Sequence, residues 1–145
     1  MKYLIYGAGG TGGCLAAFLA LGGKDVSLIA RGDHLKAIQD HGLVLETGHG
    51  TFAVPVRAME QEQVVQRPDV IFVCVKGYSL EGTLPTLKRL RDEHTIIIPL
   101  LNLYGTGGRL QPELSPALVT DGCIYIAAEI KAPGTNHMGG DIFRV

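Results

Sequence analysis

The first residues of this chain whose types and spacing could do chemistry are glycines. In the segment YGAGGTGG, residues 6–13, five of eight residues are glycine, and Gly7, Gly9 and Gly12 follow the spacing G-x-G-x-x-G. In strand–turn–helix units with this spacing, the first glycine allows a tight turn and the second lets the backbone approach a pyrophosphate. The third lets helix and strand pack closely, and the first helical N–H groups point at the phosphates. The spacing therefore indicates a dinucleotide site, and a glycine-rich turn without a ligand is the alternative.

The residues on both sides of these glycines predict the elements that would position them. Residues 2–6 (KYLIY) form a short apolar run with β-branched and aromatic members, which is typical of a buried strand. Beyond the glycines, apolar residues recur at helical spacing between residues 15 and 19, and Gly22 with Gly23 supplies a stop signal. Strand, glycine turn and helix in this order favour the dinucleotide site over the flexible turn.

A cation follows the second predicted strand, residues 26–30 (VSLIA). NAD-binding versions of this unit place an acid at the end of that strand for the ribose 2′-hydroxyl, whereas NADP-binding versions place a cation there. Arg31 holds this position, its fork of donors suits a 2′-phosphate, and Lys36 could assist it. The pattern therefore predicts NADP(H), with a solvated surface charge as the alternative for Arg31. Asp33 is the rival acid that would indicate NAD, and we interpret it as the N-cap of the next helix.

The rest of the chain alternates predicted strands and helices. The predicted elements are a helix from Asp33 to His41 closed by Gly42, a hairpin of strands 43–46 and 51–56, a strand 70–75, a helix near 83–91, a strand 95–101 ending near Pro99, a strand-rich segment 118–131, a turn APGTNHMGG and a last strand 141–145. This order predicts an α/β fold of the Rossmann type with a doubly wound, mainly parallel sheet. An inserted β-hairpin interrupts it, and an antiparallel C-terminal hairpin is expected to extend the sheet at its end.

Composition limits the classes of function that this chain can have. Its 145 residues are 46% hydrophobic, and 13 basic residues against 14 acidic ones give a net charge of −1, which predicts one globular domain. No basic run favours nucleic acid or membrane binding. Cys14, Cys74 and Cys123 are far apart, so neither a metal site nor a disulfide is expected, and a cytoplasmic protein is the natural interpretation. Cys14 lies near a helix N-terminus, and we interpret it as a small core residue.

Several of these segments, taken in order, resemble one family. With GAGGTG, Arg31, VCVKGYS and PLLNLYGTGGRL, the chain resembles the N-terminal domain of ketopantoate reductases, the 2-dehydropantoate 2-reductases. The resemblance covers essentially the whole chain, because APGTNHMGGDIFRV is similar to that domain's final hairpin. It implies an NADP-binding Rossmann domain over residues 1–145. The implied reaction is hydride transfer from NADPH to the 2-keto group of ketopantoate, in pantothenate biosynthesis.

The resemblance also assigns roles to individual residues. Arg31 would hold the 2′-phosphate, Lys76 would lie beside the cofactor, and Ala128 would line the cleft through its backbone. Asn102 is the expected catalytic residue, because its amide can position both nicotinamide and substrate. A surface lysine and a turn residue are the alternatives for Lys76 and Asn102. The full set of expected cofactor-binding residues is Gly7, Ala8, Gly9, Gly10, Thr11, Gly12, Arg31, Lys76, Ser79, Asn102 and Ala128.

The chain departs from the family pattern in two ways. The family loop reads Asn-Gly-x-Gly, but Leu103 follows Asn102 here, which puts the ketopantoate assignment in question more than the cofactor. The family's general-acid lysine belongs to a helical second domain outside this chain, so we expect these residues to bind NADPH without reducing a 2-keto acid. The face toward that domain is expected to favour self-association, with a homodimer as its simplest form. His137, which falls in the predicted turn, is interpreted as structural.

Two other functions remain open from the residues alone. The chain could be a stand-alone dinucleotide-binding or redox-sensing module that performs no hydride transfer. It could also belong to a related dehydrogenase that acts on a hydroxy acid or a sugar phosphate.

Overall fold

The computed structural model describes residues 1–145 and contains ten strands and four α-helices. The strands are β1 (Lys2–Tyr6), β2 (Asp25–Ile29), β3 (Leu43–Thr47), β4 (Gly50–Val54), β5 (Arg57–Met59), β6 (Val70–Val73), β7 (Ile96–Pro99), β8 (Leu118–Val119), β9 (Tyr125–Ala132) and β10 (Thr135–Arg144). The helices are α1 (Gly10–Leu21), α2 (Gly32–His41), α3 (Leu84–Leu90) and α4 (Thr106–Leu114). None of these helices has the length and apolar character needed to cross a lipid bilayer.

Six strands form a parallel sheet in the order β5-β2-β1-β6-β7-β8. The chain builds outward from β1 through β2 to β5, and then returns to the other side of β1 for β6, β7 and β8. The reversal creates a switch point between β1 and β6, which is where ligands of doubly wound sheets bind. Buried residues such as Ile5, Ile71 and Ile97 make the central strands apolar on both faces. The predicted Rossmann-type fold is therefore confirmed.

A second sheet has the order β4-β3-β10-β9. The pairs β3–β4 and β9–β10 are antiparallel, so both predicted hairpins are present, and β10 joins them by pairing parallel to β3. The expectation that the C-terminal hairpin extends the parallel sheet is wrong. It pairs with the inserted hairpin because the free edge of β3 accepts β10, and because Leu43, Leu45 and Met138 then pack into the same core as α1.

Helix α1 lies between the two sheets. Its sequence, GTGGCLAAFLAL, contains no charged residue, as suits a helix that meets apolar surface on several sides. The core around α1 combines residues of the parallel sheet, such as Leu28, with residues of the second sheet, such as Leu45. A separate core on the other face of the parallel sheet includes Leu87 of α3 and Leu110 of α4. The N-terminus of α1 is therefore in contact with both sheets.

The start of β10 and the presence of α4 differ from the sequence-based expectation. Strand β10 begins at Thr135, so the segment predicted as a turn is mostly strand, and His137 lies within that strand. Pairing with β3 on one side and β9 on the other outweighs the turn propensity of its glycines and asparagine. Helix α4 was not predicted, because Gly107, Gly108 and Pro112 all lower helix propensity. The carboxylate of Asp121 caps it by accepting the N–H of Gly107 at 2.8 Å.

Candidate dinucleotide site

Four neighbouring strands end at the same edge of the parallel sheet, and each is followed by residues expected from the sequence. Arg31 follows β2, the glycine loop of residues 7–12 follows β1, Lys76 follows β6 and Asn102 follows β7. Because β2, β1, β6 and β7 are adjacent in this order, the four sets lie side by side over three strand spacings, or about 14 Å. The structure therefore brings the predicted residues to the carboxyl edge of the sheet, around its switch point.

The first and third glycines of the loop are required by close backbone packing. Gly7 has φ +109°, and a Cβ there would lie 3.0 Å from the carbonyl oxygen of Cys74, the residue directly after the neighbouring strand β6. A Cβ at Gly12 would overlap the carbonyl oxygen of Gly7. Helix α1 thus approaches β1 more closely than any side chain allows, in agreement with the packing role that the sequence pattern predicts for the third glycine.

Gly9 differs from its neighbours because open space surrounds it. A Cβ at Gly9 would meet no atom within 4 Å. Gly9 is the N-cap of α1, and no side chain caps the helix there. The first N–H groups of a helix lack intrahelical acceptors, so this open space adjoins free donors at the positive end of the helix dipole. The arrangement suits an anion.

Two further glycines, Gly10 in the loop and Gly13 directly after it, make room for the second sheet. A Cβ at Gly10 would overlap the backbone carbonyl of Ala128 in β9, so this expected cofactor-cleft residue contacts the first turn of α1 through its backbone. A Cβ at Gly13 would lie 2.5 Å from the Oδ1 atom of Asn136 in β10. The side-chain nitrogen of Asn136 donates to the carbonyl oxygens of Gly9 at 3.0 Å and Gly10 at 3.4 Å. Sequence reasoning missed Asn136, although the two glycines beyond the G-x-G-x-x-G spacing were a signal.

His34 was also missed, and it connects the start of α2 to the turn before β10. Its Nδ1 atom accepts the N–H of Gly134 at 2.9 Å, while its Nε2 atom is buried and has no hydrogen-bond partner. Burial lowers the pKa of His34, and the backbone carbonyl of Ala8 opposes that shift. The accepted bond requires an unprotonated Nδ1, so the neutral imidazole is the form that holds the turn.

Arg31 is exposed at the end of β2 and forms no hydrogen bond or ion pair with any side chain of the chain. It is itself the N-cap residue of α2, with φ −148°, and no side chain caps that helix. The expectation that Asp33 is the N-cap is therefore wrong. The N-cap lies two residues earlier than expected and the helix begins at Gly32, which leaves Asp33 in the first turn, where its charge interacts favourably with the helix dipole.

Lys76 and Ser79 follow β6 in a short 3-10 turn. Lys76 is exposed and has no ion-pair partner, and its carbonyl oxygen accepts the N–H of Ser79 at 2.8 Å. Ser79 is half-buried. Two unpaired cations, Arg31 and Lys76, thus flank the glycine loop on its two sides.

Asn102 is exposed after β7, and its side chain makes no hydrogen bond within the chain. Its neighbour Leu103 leans toward the end of β6, where a Cβ at Gly77 would lie 2.8 Å from the Cδ1 atom of Leu103. The side chains of Tyr78 and Tyr104 are both exposed near the same two strand ends. The carboxyl ends of β6 and β7 therefore present both polar and apolar side chains next to Lys76.

The cysteines near the loop have no reactive character. Burial raises the pKa of the Cys14 thiol to about 11 and that of the Cys74 thiol to about 12, so both are neutral at pH 7. The interpretation of Cys14 as a core residue is confirmed by its complete burial. His137 points away from α1, on the outer face of the second sheet, with its Nδ1 atom 3.7 Å from Glu46.

Comparison with known proteins identifies relatives that match this chain over almost its full length. The model of the family "Ketopantoate reductase PanE/ApbA" matches residues 3–144. A 2-dehydropantoate 2-reductase of Mesorhizobium japonicum is 34% identical, over 99% of this chain and 51% of that protein. The crystal structure of 2-dehydropantoate 2-reductase from Porphyromonas gingivalis superposes with a TM-score of 0.87 and 33% identity, over 99% of this chain and 53% of that one.

A third relative is a structure that contains NADH and anilino(oxo)acetate. The ternary structure of D-mandelate dehydrogenase with NADH and anilino(oxo)acetate superposes with a TM-score of 0.89 and 26% identity, over 97% of this chain and 46% of that one. This chain spans about half the length of the relatives that it matches.

Proposed function

This chain belongs to the ketopantoate reductase family, and we propose that its carboxyl edge binds NADP(H) for the reduction of a 2-oxo acid to a 2-hydroxy acid. One observation carries the proposal. At the switch point of the sheet, the unpaired cations Arg31 and Lys76 flank a glycine loop in which Gly9 leaves open space beside the first N–H groups of α1. Both charge and shape at this edge suit a phosphorylated dinucleotide.

Each residue of the edge has a distinct task in this proposal. The N–H groups of residues 10–12 would hold the pyrophosphate, and Arg31 would hold the 2′-phosphate with two parallel hydrogen bonds. Lys76, on the other side of the loop, would neutralise phosphate charge and contact the ribose. Asn102 would orient the amide of the nicotinamide and the substrate, because its side chain both donates and accepts. When bound, the reduced cofactor supplies the hydride.

The cofactor contacts are proposed to be complete within residues 1–145, while the proton donor is not. Arg31 and Lys76 are both assigned to the cofactor, so neither is available as the proton donor. We therefore place the general acid in the additional length that the relatives have. On this proposal the 145-residue chain binds NADPH, but its turnover of a 2-oxo acid stays well below about 1 s⁻¹, which is a modest enzymatic rate.

The substrate is proposed to be ketopantoate, with a bulkier apolar 2-oxo acid as the second candidate. Leu103 favours the second candidate, because it stands where the family pattern has glycine and its side chain reaches toward Gly77 beside Lys76. Tyr78 and Tyr104 add exposed aromatic surface close by. The D-mandelate dehydrogenase relative, which binds anilino(oxo)acetate, supports the same direction.

Titration of the chain with NADPH and NADH tests the cofactor. A charge-assisted contact contributes about 1.5–3 kcal/mol, so wild type is expected to bind NADPH about 10- to 150-fold more tightly than NADH. Arg31→Ala should remove this preference. Lys24→Ala is the matched control, because Lys24 is an exposed, unpaired cation at the opposite end of the same strand, and it should change neither affinity. Equal affinities of wild type for the two cofactors would contradict the proposal.

Substrate class is tested on the NADPH-loaded chain by calorimetric titration with ketopantoate and with phenylglyoxylate. The Leu103→Gly variant should shift the ratio of the two affinities toward ketopantoate, because it removes the side chain beside Gly77. An unchanged ratio would rule out Leu103 as a determinant of the substrate. Tyr125→Ala, which alters an exposed aromatic residue of β9, is the control for loss of apolar surface alone.

A further inference from the structure

Asn136 is a fully buried polar residue behind the glycine loop. Its relative exposure is 0%, and its side-chain nitrogen donates to the carbonyl oxygens of Gly9 and Gly10 from the side of the second sheet. These two carbonyls belong to the peptide units that begin helix α1. The amide of a strand residue therefore holds the backbone at the start of α1, next to a residue whose Cβ position is open.

The geometry of the peptide unit connects these hydrogen bonds to the direction of the N–H groups at the start of α1. In a trans peptide the C=O and the following N–H lie in one plane and point in opposite directions. Holding the carbonyl of Gly9 fixes the direction of the N–H of Gly10, and holding the carbonyl of Gly10 fixes that of Thr11. Both N–H groups belong to the first turn of α1, whose donors have no intrahelical acceptor. Asn136 thus adds a side-chain hydrogen bond to the two peptide planes that carry these free donors, beside the helical bond from the N–H of Gly13 to the carbonyl of Gly9 at 2.8 Å.

Packing alone does not explain an asparagine at this position. Its Oδ1 atom is buried and has no hydrogen-bond partner, which lowers the stability of the fold. The chain must also place glycine at residue 13, because a Cβ there would collide with the amide of Asn136. An apolar side chain of similar volume would avoid the unpaired acceptor. The feature that such a side chain lacks is the donor pair directed at Gly9 and Gly10.

We propose, resting on the dinucleotide site proposed above, that Asn136 is a positioning residue that orients the pyrophosphate-binding N–H groups of the loop. It acts through the Gly9–Gly10 and Gly10–Thr11 peptide planes and does not touch the dinucleotide. A residue with a merely structural role would change the stability of the fold and leave the affinity of the folded protein unaltered. The order of the loop and the affinity for NADPH therefore separate the two roles.

The first experiment reads the loop without any ligand. Amide ¹⁵N relaxation of the free chain is measured for wild type, Asn136→Ala and Asn136→Asp, the last of which keeps the shape of the side chain but removes its donors. Both variants should increase the mobility of the Gly10 and Thr11 amides, while amides in the middle of α1 stay rigid. His137→Ala is the matched control, because His137 is the next residue of the same strand and faces the opposite side.

The second experiment measures NADPH binding by the same folded variants. Losing an oriented hydrogen-bonding geometry should raise the dissociation constant about tenfold in Asn136→Ala and at least as much in Asn136→Asp. The circular dichroism spectra should match wild type, and His137→Ala should bind as wild type does. ADP-ribose 2′-phosphate, which carries the pyrophosphate without nicotinamide, should lose affinity by the same factor.

Unchanged loop amides in the free variants, or NADPH binding at wild-type affinity by the folded variants, would overturn the proposal. If Asn136 variants do not fold, Gly13→Ala provides the test, because its methyl group displaces the same amide while the asparagine stays. Should wild type bind neither NADPH nor NADH, the proposed function falls. The relaxation measurements still decide whether Asn136 orients the loop.

Discussion

The front and the back of the glycine loop are built in opposite ways. At the front, the carboxyl edge of the parallel sheet presents long, exposed and unpaired side chains, of which Arg31 and Lys76 are the charged examples. At the back, the second sheet presents the buried Asn136 and the backbone of Ala128, both in direct contact with α1. The front exposes charge, and the back contacts the backbone of the loop. The backbone of the loop therefore depends on contacts with both sheets.

The largest effect on stability is expected at the contact between α1 and β1, which is part of neither the front nor the back of the loop. The Gly12→Ala substitution would place a methyl group over the carbonyl oxygen of Gly7, and a backbone atom at the end of a central strand cannot move aside cheaply. We expect a loss of more than about 3 kcal/mol in the free energy of unfolding. Urea denaturation measures it, with Gly82→Ala as the control because a Cβ at Gly82 meets no atom within 4 Å. A loss below about 1 kcal/mol would refute the close packing.

The Gly9→Val substitution tests the front alone. Open space surrounds Gly9, so the free energy of unfolding should change by less than about 1 kcal/mol, while the side chain fills the place of the pyrophosphate. We expect at least a 100-fold loss of NADPH affinity, measured by calorimetry. If the variant keeps its affinity, the loop is a turn and the front has no role in binding.

The Gly13→Ala substitution tests the back, through its coupling to Asn136. The added methyl group would collide with the buried amide, and overpacking of this kind typically costs about 1–3 kcal/mol. In the Asn136→Ala background the collision disappears, and the same substitution should become neutral or stabilising by up to about 1 kcal/mol, because alanine favours a helix interior over glycine. The double-mutant cycle is measured by urea denaturation. Additive effects would mean that the two residues do not contact each other.

The smallest expected effect concerns His34, which also belongs to the back. Burial lowers the pKa of His34 in the folded state below its ordinary value of 6.5. The unfolded chain therefore binds more protons between these two values, and stability rises with pH there. The contribution is complete above about pH 6.5 and is lost as the pH falls through the folded pKa. One neutral hydrogen bond, from the N–H of Gly134, contributes about 1 kcal/mol.

Urea denaturation between pH 5 and 8 measures this dependence in wild type and in His34→Asn. The asparagine keeps a hydrogen-bond acceptor but does not titrate. Wild type should lose stability relative to the variant as the pH falls. Parallel curves for the two proteins would show that His34 does not link the pH to the turn before β10.

The parallel sheet and its front could be predicted because their signals are local. Strand β1, the helix after it and the G-x-G-x-x-G spacing are consecutive in the chain, and the predicted strand 2–6 coincides with β1. The continuous apolar runs of β6 and β7 are likewise typical of strands buried on both faces. The cofactor-binding and catalytic roles of Arg31, Lys76, Ser79 and Asn102 stay predictions, although their positions at the carboxyl edge agree with them.

The back of the loop could not be predicted, because each of its contacts joins residues distant in the chain. Asn136 meets Gly9 across 127 residues, and Gly134 meets His34 across 100. The asparagine and glycines of β10 are typical of a turn, so local composition predicts a turn there. Pairing with β3 and β9 makes the segment a strand. The expected start of α2 was wrong for a local reason: the helix begins at Gly32, which has φ +60°, so its N-cap is Arg31 and not Asp33.

By itself the sequence determined the alternation of strands and helices, the family, and the run of five glycines between residues 7 and 13. Only the tertiary structure decided what each glycine is for. Local spacing identifies three of them, because a strand–turn–helix unit needs glycine at set intervals whatever surrounds it. Gly10 and Gly13 leave room for Ala128 and Asn136, which contact the start of α1 because β10 pairs with β3 in the folded chain. Segments that are distant in the chain come into steric contact only in the folded protein. The sequence therefore shows glycine at these positions without showing which segment excludes a side chain there.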